Sequence, residues 1–468
     1  MPSQTDPSAD EAGHDAWRQA AARSLKGAGL ESLVTRTVEG VEIQPLYDAA
    51  PACERLRTAA GWDIRASVRA ATPEAANILA HEAMGGGATS LLLQGGYASA
   101  ADLARALDGV VLEAAPMALD AGFGGPLAAE WLGEAAKGSP SALLALHLDP
   151  LGAFAQTGQS PGPIEAHLRR AAQAGATLAG PYPQASLFLA SGWVAHEAGG
   201  SPAQELGVMA AAAVAYARAG TDAGLGMDAA LSRIVLGLSV DQQLLVSVAK
   251  LRAARRIWAR IVGACGARTH ARIEVRSSGR MLTVADPWTN LLRLTAAGMA
   301  GAIGGADALV LGAFTDALGA PAERARRLAR NTQLILAEEA HLGRPADAMA
   351  GAWAIESLTD QLARQGWNCF QAIERQGGLL AVLTSGLLAA EVAAVGAARE
   401  AAVAEGDMPI LGVNRFADPD PMPVEVETAG SLPTPMPDAR LPGPDSHCPP
   451  LSPVRISAAE QLSQDVQP

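Results

Sequence analysis

The residues whose types suit chemistry fall in a few short stretches. "HEAGG" (196–200) begins with a histidine–carboxylate pair, His196 and Glu197, but lacks the second histidine of H-E-x-x-H. A zinc hydrolase is therefore excluded and no metal ligand set is expected. "RIEVRSSGRMLT" (272–283) carries Arg272, Glu274, Arg276 and Ser278, groups suited to polar contact with a charged ligand. "RNTQ" sets Arg330, Asn331, Thr332 and Gln333 in a row, more polar groups than a plain surface helix needs. "GGGATS" (85–90) has the glycines of a phosphate cradle. It lacks the strand before it and the helix after it, so it reads as a turn into a strand. Arg252, Arg255, Arg256 and Arg260 lie along one helical stretch. They read as a solvated face or as an interface with an acidic partner.

These groups need a scaffold, and the apolar runs supply one. "TSLLLQ" (89–94), "GVVLEA" (109–114), "ALLALHLD" (142–149), "SLFLASGWVA" (186–195), "RIEVR" (272–276) and "DALVLGA" (307–313) are strand-like runs, most of them near-continuous apolar segments without a polar face. That is the pattern of parallel strands covered on both sides. The stretches between them are long enough for crossover helices, and repeated β-α units over about 350 residues predict an α/β fold, a (β/α)8 TIM barrel. Helices are expected from His14 to Leu30, over 203–217 and 241–263, and from Pro321 onward, where proline suits a first turn. The expected organisation is a disordered 1–14, an N-terminal arm over 15–50 with "VEIQPLYD" (41–48) extended, the barrel over 51–404, and a Pro-rich tail or linker over 405–468. Of 30 prolines, 13 lie at or beyond Pro409, so the tail cannot form a packed core of its own.

Composition narrows the function. The net charge of −13 over 468 residues argues against nucleic acid, which needs a basic face. Residues 294–314 are the most apolar region but are rich in Ala and Gly and carry Asp307. They read as core, and no membrane span is expected. Cys53, Cys265, Cys369 and Cys448 are scattered. That pattern predicts neither disulfides nor zinc and suits a reducing, cytoplasmic compartment. The polar, acidic N-terminus is no signal peptide.

"ARNTQLILAEEAHLGRPADAMAGAWAIESLT" (329–359), "VAKLRAARRIWARIVGACGA" (248–267) and "ADPWTNLLRLTAAGMAGAIGGADALVLGAFTDALGAPAERARRLARNTQ" (285–333) resemble the coenzyme-B12-dependent acyl-CoA mutases, specifically the methylmalonyl-CoA mutases. The likeness is strong from about Ser191 to Leu379 and weaker from Trp17 to Asn77. It implies a (β/α)8 barrel that binds an acyl-CoA, and a separate flavodoxin-like domain for cobalamin.

Residue by residue, the resemblance breaks at the chemistry. Catalytic members carry a Tyr after the "IRQ" segment, and the matching position in "GWDIRASVRAATPEAAN" is Ser67. Their "SGYHMQEAG" supplies a His, and here "SGWVAHEAG" places Val194 at that position. His196, two residues along, would compensate only if the strand slipped. Their "RTHSQTSGWSLT" keeps Arg272, Ser278 and Gly279 in this chain but becomes Glu274 and Arg276 at the His and Gln positions. A carboxylate there is wrong for an anionic acyl-CoA. The "THRGYDSD" loop and the "RNT" carboxylate clamp have no counterpart. The cobalamin motif D-x-H-x-x-G has one echo, "DSHCPP" (445–450), with Pro450 in place of Gly. It is read as accidental.

The resemblance thus implies the small, non-catalytic subunit, inactive alone. It would pair as a heterodimer with the catalytic large subunit of an acyl-CoA mutase. No cofactor is expected on this chain, and adenosylcobalamin is expected on the partner. The Arg-bearing helix 241–263 and the Pro-rich tail would then face or wrap the partner, and Arg330 to Gln333 would be an inherited scaffold motif. The alternative is the acyl-CoA-binding barrel half of a split B12-dependent isomerase. In that case Arg272, Glu274, Arg276, Ser278, His196, Asn331 and Gln333 would bind substrate.

Overall fold

The computed structural model describes residues 7–38, 40–47, 55–57, 59–95, 97–427 and 439–456, with side chains from residue 13. Cys53 lies outside the described residues. Eight parallel strands close into a barrel: β1 (Asp63–Arg69), β2 (Ser90–Gln94), β3 (Met117–Asp120), β4 (Leu144–Leu148), β5 (Ser186–Ser191), β6 (Ile234–Val240), β7 (Arg272–Ser277) and β8 (Ala308–Val310). β8 pairs with β1 to close the ring. In β2, β4, β5, β6 and β8 nearly every residue is buried, because helices cover the outside and side chains fill the inside.

A crossover helix follows each strand. They are α1 (Pro73–Gly85), α2 (Ala100–Ala106), α3 (Gly125–Ala135), α4 (Ile164–Ala179), α5 (Pro202–Asp222), α6 (Leu244–Ala264), α7 (Asn290–Gly304) and α8 (Glu323–Leu334). Their starts are chemically marked. Thr72 caps α1 ahead of Pro73, and Ser201 forms a capping box with Gln204 on α5. Two further long helices, α9 (Trp353–Arg375) and α10 (Leu387–Ala404), pack outside the ring. The large apolar cluster lies between barrel and helices. A second, separate cluster has only Leu92, Ala118, Ala145 and Val310. Leu92, Ala118 and Ala145 are lateral neighbours across the ladders, and Val310 packs with them.

Several expectations shift. Residues 109–114 turn instead of pairing, and the strand there is Met117–Asp120. The run 186–195 breaks at Ser191, and Trp193–Glu197 is a short helix. The last crossover helix starts at Glu323, while Pro321 pairs with Val426 in a short antiparallel bridge. The N-terminal helix runs Pro7–Ser24, starting before His14 and within the stretch expected to be disordered. The extended arm is one side of a small ladder, Glu42–Ile43 against Thr35–Arg36.

The arginines of α6 do not form an outer face. Arg252 is 1% exposed and bonds Asp347 and Glu356. Arg255 bonds Asp307 and two backbone carbonyls, Arg256 bonds Glu356, and Arg260 stacks on Trp367. α9 packs on the helix, and the acidic partners of Arg252, Arg255 and Arg256 come from this chain, while Arg260 stays exposed. Residues 439–456 also lie on this chain's own barrel. Leu451 N donates to Ala155 O, Val454 N to Glu197 O and Ile456 N to Arg280 O. Among the described residues no helix is long and apolar enough to cross a membrane.

Candidate functional site

The ligand sites of (β/α)8 barrels open at the C-terminal ends of the strands, and here the interior below that end, midway along the strands, is crowded with charge. Glu274 of β7 is 1% exposed. Its Oε2 receives Arg65 Nη1 of β1 at 2.5 Å, and its Oε1 receives Arg276 Nη2 and Nε at 3.1 and 3.2 Å. His147 of β4 brings Nε2 to 3.2 Å from Oε2. No hydrogen bond satisfies either nitrogen of that ring. Its backbone sits at a φ of 43°, a left-handed conformation unusual for a non-glycine residue. Arg65 is braced by Ser90 Oγ at 3.1 Å and Asp63 at 3.4 Å. Arg276 is braced by Asp120 Oδ2 at 3.0 Å and by the Trp193 ring, 3.9 Å below its guanidinium.

Trp193 reaches that place because β6 carries Gly237 there. A Cβ on Gly237 would lie 2.5 Å from the Trp193 ring. Toward the mouth, Ser67 donates to Gln94 Oε1, and Ser67 and Arg69 remain exposed.

Burial alone would raise the Glu274 pKa. The neighbouring His147, Arg276 and Arg65, with the Arg65 hydrogen bond, outweigh it and hold Glu274 at about 2. Burial pushes His147 down to about 4 against the pull of Glu274, with Arg65 and Arg276 adding to the depression. At neutral pH His147 is therefore uncharged, and the two guanidiniums keep Glu274 ionised. Arg65 and Arg276 balance Glu274 and Asp120 in charge. The cluster can hold itself together, but it presents no titratable group poised near neutrality.

The other expected residues are not in this cavity. Val194 and His196 sit on the short helix after β5, and the pairing of side-chain directions expected of a strand does not apply to them. Val194 is buried in the outer apolar core. His196 Nε2 lies 2.9 Å from Ser278 Oγ and its Nδ1 lies 3.2 Å from Glu205 Oε2. Glu205 also bonds Lys250 and accepts from Ser239 N at 2.6 Å. Arg280 ties His196 O and Gly200 O at 2.7 and 3.0 Å. This is a second charged cluster, behind the barrel wall.

Arg272 is at the opposite rim, near Ser186 Oγ at 3.3 Å. Gln333 is at that rim too, accepting from Trp62 Nε1 at 3.2 Å just ahead of β1. Asn331 is partly buried on the same helix. Arg330 donates to Gly86 O at 2.8 Å. The residues missed from sequence are Arg65, Asp120, His147 and Trp193. Their only signal was a single polar residue interrupting an apolar run, as His147 does in "ALLALHLD".

The methylmalonyl-CoA mutase family model matches residues 94–432. The chain belongs to the methylmalonyl-CoA mutase family. It is 38% identical over 459 residues to the methylmalonyl-CoA mutase small subunit of Streptomyces virginiae, covering 90% of this chain and 73% of that protein. It is 37% identical to the probable small subunit of Mycobacterium tuberculosis, over 71% of this chain and 55% of that protein. A methylmalonyl-CoA mutase of Cereibacter sphaeroides is 30% identical, over 88% of this chain and 65% of that protein. The chain thus spans between about half and three quarters of the length of these mutases.

The family implies cobalamin, and the residues of the one motif echo do not fit it. Ser446 and His447 are held in a two-stranded ladder with Gln159–Ser160. Asp445 bonds Gln159 and the backbone of Gly162. A Cβ on Gly158 would meet Pro450 and Cys448 O at about 3 Å, so this loop is packed, leaving His447 no built pocket. No chemistry is routed through that group here. Among the described residues no cluster of three His, Cys, Asp or Glu side chains could hold a metal.

Proposed function

We propose that this chain is the small, non-catalytic subunit of a methylmalonyl-CoA mutase, with the catalytic large subunit as its cytoplasmic heterodimer partner. The heterodimer would interconvert methylmalonyl-CoA and succinyl-CoA as an isomerase, with adenosylcobalamin on the large subunit. The observation that supports this most is the barrel interior, filled by the Arg65–Glu274–Arg276 network and Trp193. An acyl-CoA entering there would have to displace a buried, fully paired carboxylate, and its own charge would meet that carboxylate. Ser67 and Val194, standing where catalytic members carry Tyr and His, point the same way. Removing one preorganised donor costs about 10²–10³ in rate.

The arginine face of α6 is no longer available as a docking surface, and the described part of the tail is engaged with its own barrel. The partner surface must therefore lie elsewhere. The test has two arms. Titration of the purified chain with methylmalonyl-CoA by calorimetry should give no heat of binding, and co-expression with the large subunit of the same cell should give a one-to-one complex. Micromolar acyl-CoA binding by the lone chain, without complex formation, would overturn this reading in favour of a split enzyme.

A further inference from the structure

The carboxylate of Glu274 is bound as a ligand would be. Each of its oxygens meets a guanidinium, from β1 on one side and from its own strand on the other, and a buried imidazole faces it from β4. The donors do not depend on Glu274 for their placement. Arg65 keeps Ser90 and Asp63, and Arg276 keeps Asp120 and the Trp193 ring. The lateral neighbours of Glu274 in the ladder are Gly237, over which the Trp193 ring packs, and Ala308, which adds only a methyl group. His147 is fully buried with both ring nitrogens unsatisfied, so a carboxylate with freedom to turn gains a donor that the tethered one does not reach at a good angle.

We infer that Glu274 is a tethered ligand: Arg65, Arg276 and His147 form a carboxylate-binding cradle inside the barrel, occupied by this chain's own side chain and able to take a free small monocarboxylate when that side chain is cut back. Truncation to alanine removes Cγ and the carboxyl group, which are the atoms of acetate. Acetate therefore refills the void, formate underfills it, and butyrate is too long. Entry is from the mouth, where Ser67 and Arg69 are exposed and Arg276 is only partly covered. The inference deepens the reading of a self-filled barrel but rests on the cradle alone, so it stands or falls independently of any partner subunit.

The experiment is chemical rescue of the full chain. Thermal unfolding of Glu274→Ala is followed at pH 7.5 in sodium acetate and in sodium chloride of equal ionic strength. A ligand that binds only the folded state multiplies the folding constant by 1 + [L]/Kd, roughly eleven-fold at ten times Kd. The expected result is a saturable rise in Tm with acetate, less with formate, none with butyrate or chloride, and none in the wild type or in Glu274→Gln, whose cradle stays filled. The double variant Arg65→Gln with Glu274→Ala should not respond. Equal Tm in acetate and chloride, or an equal acetate response in the double variant, would overturn the inference. If Glu274→Ala does not stay folded in chloride, its refolding yield in acetate against chloride reads the same binding, and equal yields would likewise sink it. Acetate rescue combined with acyl-CoA binding by the wild type would leave the cradle standing and remove the proposed function.

Discussion

Two charged clusters in this barrel are alike in composition and differ in what surrounds them. Inside, Glu274 is held at about 2 and His147 at about 4. Behind the wall, Glu205 is held at about 2 against burial, chiefly by Lys250 and His196, and burial takes His196 to about 4. Perturbed pKa values mark functional sites only as a tendency, and here they do not separate the two. Position does. The inner cluster lies inside the barrel, midway along the strands and below the end where this fold opens its ligand sites, with Ser67 and Arg69 exposed above it. The outer one lies between α5 and α6, which supply Glu205 and Lys250, and Val454 N and Ile456 N donate to its Glu197 and Arg280 carbonyls. The first has the form of an occupied site, the second that of a clamp.

The sharpest way to test that contrast is to remove the carboxylate from each. Glu205→Ala leaves Lys250, 2% exposed, as an uncompensated buried charge, and strips Ser239 N of its acceptor. It should cost about 3–5 kcal/mol, read as a drop in the urea midpoint. Glu274→Ala should cost less than Glu205→Ala, because Arg276 keeps Asp120 and can draw water from the mouth. Equal losses would erase the distinction. Next in size, Gly237→Ala forces a methyl group into the Trp193 ring and should cost about 1–3 kcal/mol. The measurement is again chemical unfolding, together with altered Trp fluorescence.

Acid should act on both clusters together. A depressed histidine pKa means that the unfolded chain takes up a proton at about 6.5 while the folded chain resists until about 4. These residues therefore cost stability as pH falls through that window. Asp149 and Asp316, raised to about 6 by burial, act oppositely, since the folded state binds their protons first. Stability should thus change little between pH 6 and 4.5. It should then fall steeply as the pH drops below the ordinary glutamate range toward the value of about 2 for Glu274 and Glu205. His147→Gln should improve stability at pH 5 relative to pH 7 in comparison with wild type. The smallest effect belongs to Arg272→Ala at the far rim, whose partners are 3.3 and 3.5 Å away at an exposed position. It should lie within about 0.5 kcal/mol of wild type, with no change in any ligand response.

Much of the barrel was legible because its causes are local. The apolar run "TSLLLQ" and the alternating run "RIEVR" became β2 and β7 nearly at their expected bounds. "GVVLEA" misled because a run's apolarity does not say which part of it pairs. "DIRASVR", which became β1, was not read as a strand, although its alternation of charged and apolar residues matches that of "RIEVR".

The sequence by itself determined the alternation of apolar strands and helices, and the family. These are properties of neighbouring residues and of a motif read in register. Only the tertiary structure decided what the charges do. Arg65 meets Glu274 across 209 residues and Arg252 meets Glu356 across 104. No pattern within a strand or helix says that the arginines of α6 point inward, or that a glutamate ill-suited to an anionic ligand is itself held as one. Those outcomes follow from α9 packing on α6 and from barrel closure, which brings β1, β4 and β7 together. There, removal from water makes an unpaired charge so costly that each must find its partner.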